Sequence, residues 1–135
     1  MTELRLHPRI ATQLMAKITN SAGEVITTQI HDLSPGGLML EGDQTLRSMV
    51  FANHDPDKDP LVHPVELHIS IQLPGQQQPF TSKIRLLYIR RLSQSLYNLG
   101  FRYFALSSTH AHMMERHIFA GESTQDALNR AFTNL

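Results

Sequence analysis

The sequence predicts a mainly β chain followed by a C-terminal helical segment. Three observations carry this expectation. Val65-Glu66-Leu67-His68-Ile69-Ser70-Ile71-Gln72-Leu73 alternates apolar with polar residues, the period-two pattern of a strand buried on one face. Several other short apolar-rich runs are separated by clusters of glycine, proline, asparagine and serine, which punctuate strands. Beyond Ala105 the pattern changes, and a serine precedes a run with helical spacing.

The first run, Ile10 to Ile18, reads as a strand, and Asn20-Ser21-Ala22-Gly23 as the turn after it. Val25 to Ile30 is the returning strand. If the turn centres on Ala22 and Gly23, Arg9 falls opposite Gly36 and Gln13 opposite Asp32. Asp32-Leu33-Ser34-Pro35-Gly36-Gly37 then connects to Leu38–Leu40. Arg47 to Pro64 contains Asn53-His54-Asp55-Pro56-Asp57-Lys58-Asp59-Pro60, too polar and proline-rich for a strand, and is expected to be a long exposed loop. After Val65–Leu73, Pro74-Gly75 ends the strand and Pro79 delays the next, which runs from about Phe80 to Arg90 and returns as Leu96 to Ala105.

Ser107 or Ser108 can cap a helix reaching Ile118 or Phe119, with Gly121 expected to stop it. Ser123 and Asp126, spaced like a capping box, predict a second helix. Its Ala127, Leu128, Ala131, Phe132 and Leu135 share one face, which must pack on the domain or on a partner.

Composition bounds the function. A chain of 135 residues is expected to make one domain, with 1–9 as an N-terminal segment, 10–106 as the β portion and 107–135 helical. Twelve basic and twelve acidic residues cancel, so no overall field recruits nucleic acid or membrane, and any arginine site acts locally. There is no cysteine, hence no disulfide or thiolate metal site. No run approaches membrane-spanning length and Met1-Thr2-Glu3-Leu4-Arg5 lacks a signal-peptide stretch, so a cytoplasmic protein is expected, without membrane insertion.

Two motifs carry chemistry. Arg5 and Arg9 bracket Leu6-His7-Pro8 just before the first strand. Asp32, Ser34 and the pair Gly36-Gly37 then set a carboxylate and a hydroxyl beside a bare backbone. A well-formed turn whose side chains bond only their own backbone explains the second motif by itself. The hairpin, however, returns both motifs to one end of the sheet. A guanidinium can grip the O6/N7 edge of guanine, stack on its face or clamp a phosphate. A carboxylate accepts from guanine N1–H and N2–H. The set suits a guanine nucleotide with more than one phosphate.

Other features carry less. His110, His112 and His117 are not arranged as metal ligands, and no H-E-x-x-H occurs, so no metal or cofactor is expected. His31 or His7 can be drawn beside Ser34 as a base. His31 directly precedes Asp32, however, and strand neighbours alternate faces, so no catalytic residue and no enzyme activity are expected.

Arg5-x-x-x-Arg9 with Asp32-x-Ser34-x-x-Gly37 resembles the signature of PilZ domains, bacterial receptors for cyclic di-GMP. Asn98-Leu99-Gly100-Phe101-Arg102-Tyr103-Phe104 is similar to the last barrel strand of that family, and similarity spans roughly Glu3 to Phe119. The resemblance implies a small six-stranded antiparallel β-barrel with a C-terminal helix or helices. It implies that Arg5 and Arg9 hold guanine and phosphate while Asp32, Ser34 and Gly37 form the opposing wall. His7, Gly36 and Tyr88 are further candidates, Tyr88 as a stacking platform. Many members carry a basic doublet before the motif, whereas Leu4 and Leu6 flank Arg5 here, which removes some attraction for the ligand. The implied function is a receptor that changes conformation on binding cyclic di-GMP and relays it to an effector protein, as monomer or homodimer, with no DNA or RNA partner. The alternative is a nucleotide-independent adaptor of the same fold, for example in motility or pilus systems. In the receptor reading, the Leu4–Pro8 segment is mobile without ligand and ordered by it.

Overall fold

The computed structural model describes residues 10–133, with side-chain detail ending at Ala120. Arg5, His7 and Arg9 therefore lie outside the described residues, as do the expected mobility of 1–9 and the side chains of the second apolar helix face. Seven strands and two helices run in the order β1 (Ile10–Ala11), β2 (Met15–Thr19), β3 (Val25–Leu33), β4 (Gly37–Gly42), α1 (Gln44–Val50), β5 (Glu66–Ile71), β6 (Phe80–Arg91), β7 (Tyr97–Phe104) and α2 (Ser108–Thr133). All pairings are antiparallel. The sheet order is β1-β3-β2-β5-β6-β7-β4, and β4 pairs back onto β3, which closes the barrel. Because β1 and β2 are two pieces of one strand along β3, the barrel is the six-stranded one expected.

The expected strand Ile10–Ile18 is interrupted at residues 12–14. Thr12 Oγ1 accepts from Leu14 N at 3.1 Å, bending the chain locally. Thr12 N still donates to His31 O and Ile30 N to Leu14 O, so the piece stays attached to β3. The register also differs from the expected one. Asn20 Oδ1 accepts from the backbone N–H groups of both Ala22 and Glu24, which makes the turn one residue wider than a tight pair. Thr19 consequently faces Val25, and the break at residues 12–14 adds a second one-residue shift, so that Ala11, not Gln13, faces Asp32. The buried Asn20 amide also donates to Met49 O at 2.9 Å, tying this hairpin to α1.

Alternation places Ile18, Ile30, Leu40, Ile69, Ile71, Ile84, Leu86 and Leu99 inside, where each is fully buried. Helix α1 corrects the loop expected from Arg47: residues Arg47–Val50 are helical. Asp43 caps it, its Oδ1 accepting from Thr45 N and Leu46 N at 3.0 and 3.3 Å. Leu46, Met49 and Val50, at helical spacing, turn into the core. Burial of these three apolar side chains outweighs the polar character of the neighbouring Asn53–Pro60 stretch.

Ser107 caps α2, its Oγ accepting from His110 N at 3.2 Å. The helix continues through Gly121 instead of ending there. An interior glycine costs only about 1 kcal/mol relative to alanine, less than a break would cost a helix already docked. Met113, Met114 and Ile118 are its buried contacts. His110 Nδ1 accepts from Thr81 N at 2.8 Å, satisfying a β6 donor beyond the reach of β7.

His117, two turns further, has its Nε2 enclosed without a hydrogen-bond partner. Burial holds its imidazole below the ordinary value of 6.5. The unfolded chain then takes the proton more readily, so this contribution to stability is complete above about pH 6.5 and declines as the pH falls below it. The thermal unfolding midpoint is expected to drop between about pH 8 and about pH 5.5, and His117→Leu to flatten part of that slope.

Candidate functional site

The barrel wall around Asp32 is shaped by a β-bulge. Ile30 pairs with Leu40 and Asp32 with Met39, leaving His31 as the extra residue. Two residues of β3 thus oppose one of β4, and His31 shares the outer face with Asp32 instead of alternating with it. Their side chains meet, His31 Nδ1 lying 3.4 Å from Asp32 Oδ2. This corrects the expectation that the two point apart. It does not create a catalytic pair with Ser34, whose hydroxyl is engaged elsewhere. The Asp32 carboxylate is 12% exposed, held at the surface but mostly enclosed. Burial, with a smaller contribution from this nearby charge, pushes the Tyr103 phenol upward.

Ser34 builds the turn between β3 and β4. Its backbone N donates to Gly37 O at 2.9 Å, and its Oγ accepts from Gly37 N at 3.1 Å. The hydroxyl also donates to Gly37 O at 3.1 Å. That carbonyl already holds the Ser34 N–H, so the hydroxyl proton can turn to a ligand oxygen without orphaning a backbone group. Gly36 is exposed, and its carbonyl accepts from Tyr103 N at 3.0 Å, clamping the turn to β7.

Gly37 has a reason inside the fold. It pairs with Arg102, and a Cβ there would collide with the Phe101 carbonyl oxygen and lie 3.1 Å from Arg102 Cα. The glycine lets β4 and β7 approach. The sequence expectation of a bare backbone for a ligand is therefore accompanied by a packing requirement.

Tyr88 belongs to the same outer face. Asp32 pairs with Met39, Met39 with Gly100 and Gly100 with Tyr88, one row across four strands. A Cβ on Gly100 would fall on the Tyr88 ring, whose Cζ would lie 2.5 Å away, so the ring rests on the glycine backbone. A second bulge, between Leu86 and Tyr88, turns the tyrosine to this side. The ring is half-buried, so part of it stays accessible beside the Asp32 row. Gly100 as the floor under Tyr88 was not foreseen; its position two residues before Arg102 in an alternating strand was the available signal. The grooves beside α1 and between the β5–β6 loop and α2 include no residue of the 32–37 turn in their linings. Among the described residues no three His, Asp or Glu side chains converge as metal ligands, and no helix is long and apolar enough to cross a membrane.

Against known proteins, the family model described as PilZ domain matches residues 3–120. The chain belongs to the PilZ domain family. No curated protein sequence matches it. The fold of this PilZ domain is similar to the PilZ domain of Escherichia coli YcgR with c-di-GMP, at TM-score 0.61 and 19% identity over 96% of this chain and 98% of that one. It is similar to the Bacillus subtilis inhibitor of motility MotI/DgrA, at TM-score 0.64 and 14% identity over 91% of this chain and 53% of that one. The K. pneumonia MrkH–c-di-GMP complex gives TM-score 0.59 and 16% identity over 99% of this chain and 57% of that one. The chain thus spans about half the length of MotI/DgrA and of MrkH.

Proposed function

We propose that this PilZ domain is a receptor for cyclic di-GMP that passes the bound state to a partner protein. The observation that carries this reading is the enclosed Asp32 carboxylate on the outer face, beside the Ser34–Gly37 turn, at the place where β1 arrives. Ile10 pairs with Leu33 and Ala11 with Asp32. Arg9 immediately precedes Ile10, and consecutive Cα atoms lie about 3.8 Å apart, so chain connectivity supports a meeting of the two motifs. In this reading Arg5 and Arg9 hold phosphate and guanine, Asp32 accepts from guanine N1–H and N2–H, and Ser34 turns its hydroxyl to the ligand. Gly36 and Gly37 leave the backbone approachable, Tyr88 supplies a stacking surface, and His7 lies between the two arginines in sequence. Support also comes from YcgR and MrkH, whose structures hold c-di-GMP.

Calorimetric titration with cyclic di-GMP, with GTP and cyclic di-AMP as controls, tests the proposal. Saturable binding of cyclic di-GMP alone supports it, and no binding would favour the nucleotide-independent adaptor. Asp32→Ala is expected to narrow the preference for cyclic di-GMP over cyclic di-AMP about tenfold, because the carboxylate meets base donors and not the anion. If Asp32→Ala tightened binding of every nucleotide, the carboxylate would act only as an electrostatic brake.

A further inference from the structure

Arg102 is an arginine of this face that the motif does not include. It lies on the outward side of β7, paired with Gly37 on one side and Arg85 on the other. Arg85 is committed: its Nε donates to Glu66 Oε1 at 2.9 Å and its guanidinium lies 3.6 Å over the Phe104 ring. Arg102 is exposed and, among the described residues, its guanidinium takes part in no hydrogen bond, ion pair or ring contact. Two like charges directly opposite each other across a ladder are unfavourable, so Arg102 is poorly explained as a stabilising surface residue. No side chain at Gly37 stands between it and the Ser34–Gly37 turn.

Position favours one kind of contact. Asp32 and Arg102 are two strands and two residues apart, roughly 12 Å between Cα atoms at about 4.8 Å per strand and 3.3 Å per residue. A purine lying over Gly37 and Met39 fits between them. Its N1/N2 edge meets the carboxylate, and the adjacent O6/N7 edge turns toward β7. A planar guanidinium bonds O6 and N7 together, whereas adenine presents an amino group in place of O6.

Resting on the receptor reading above, we propose that Arg102 grips the O6/N7 edge of the guanine whose N1/N2 edge Asp32 accepts, and so sets base selectivity from the last barrel strand. The test is calorimetry of the full chain with cyclic di-GMP and with its 7-deazaguanine analogue, which lacks N7. Arg102→Ala is expected to weaken cyclic di-GMP binding about tenfold or more, and Arg102→Lys, which keeps the charge but not the fork, to recover little of it. Wild type is expected to bind the analogue more weakly than cyclic di-GMP, and Arg102→Ala to bind the two alike.

Unchanged affinity in Arg102→Ala, with wild type binding normally, overturns the inference and leaves the receptor reading standing. A preference for cyclic di-GMP over the analogue that persists in Arg102→Ala, together with rescue by Arg102→Lys, also overturns it, since Arg102 would then meet phosphate. Failure of wild type itself to bind removes the receptor reading, and this inference with it.

Discussion

Gly37→Val is expected to destabilise the barrel by about 3 kcal/mol, the upper part of the range for forcing atoms into a packed site. The Cβ alone makes the clash, because it would meet the Phe101 carbonyl oxygen, which belongs to the neighbouring strand's backbone and cannot rotate away. Relief requires parting β4 from β7 at the Gly37–Arg102 pair. That movement also strains the Ser34–Gly37 turn, in which Gly37 N and O are both bonded to Ser34. Gly37→Ala should therefore lose most of the same stability. Gly36→Ala, at an exposed position, should stay within about 0.5 kcal/mol of wild type. Urea unfolding of the three variants measures this directly. A Gly37→Val protein with wild-type stability and no ligand binding would show that the glycine serves ligand approach alone.

The strands were legible because they obey one rule. Val65–Leu73 and Phe80–Arg90 alternate cleanly, and β5 and β6 fall within two residues of those expectations. What escaped the sequence depends on local exceptions to that rule. The bulge at His31 and the break at residues 12–14 each shift a register by one, and no residue type there announces them. The break, together with the wider turn at Asn20, decides that Ala11 faces Asp32, and the bulge decides that His31 shares the face of Asp32. Helix α1 was hidden by its length: seven residues give one apolar stripe, and the proline- and aspartate-rich stretch after it dominates the window. Gly121 misled in the other direction, since glycine ends a helix only when the next residues leave it as well. Asp32, Ser34 and Tyr88 were each visible as residue types. That Asp32 and Tyr88 occupy one row needed the pairing of β3, β4, β7 and β6.

Arg9→Ala is expected to weaken cyclic di-GMP binding at least tenfold, with Arg5→Ala similar, because a charge-assisted contact is worth about 1.5–3 kcal/mol. The double variant should lose on the order of a hundredfold, the two losses adding if each arginine meets its own ligand group. Folding stability should stay within about 1 kcal/mol, since both residues precede Ile10, where the described barrel begins. Salt provides a second readout. The chain's formal charge is zero, so attraction for an anionic ligand has to come from local arginines and not from a general field. Wild-type affinity should then fall as ionic strength rises, and this slope should flatten in the double variant, where Arg102 is the main cation left on the face. Leu4 and Leu6 beside Arg5 add no further charge, which makes the dependence on these two residues steeper. If the double variant bound cyclic di-GMP as tightly as wild type, at low salt and at high, the N-terminal pair would have no part in the site. The wall formed by Asp32, Ser34 and Tyr88 would then have to hold the nucleotide without it.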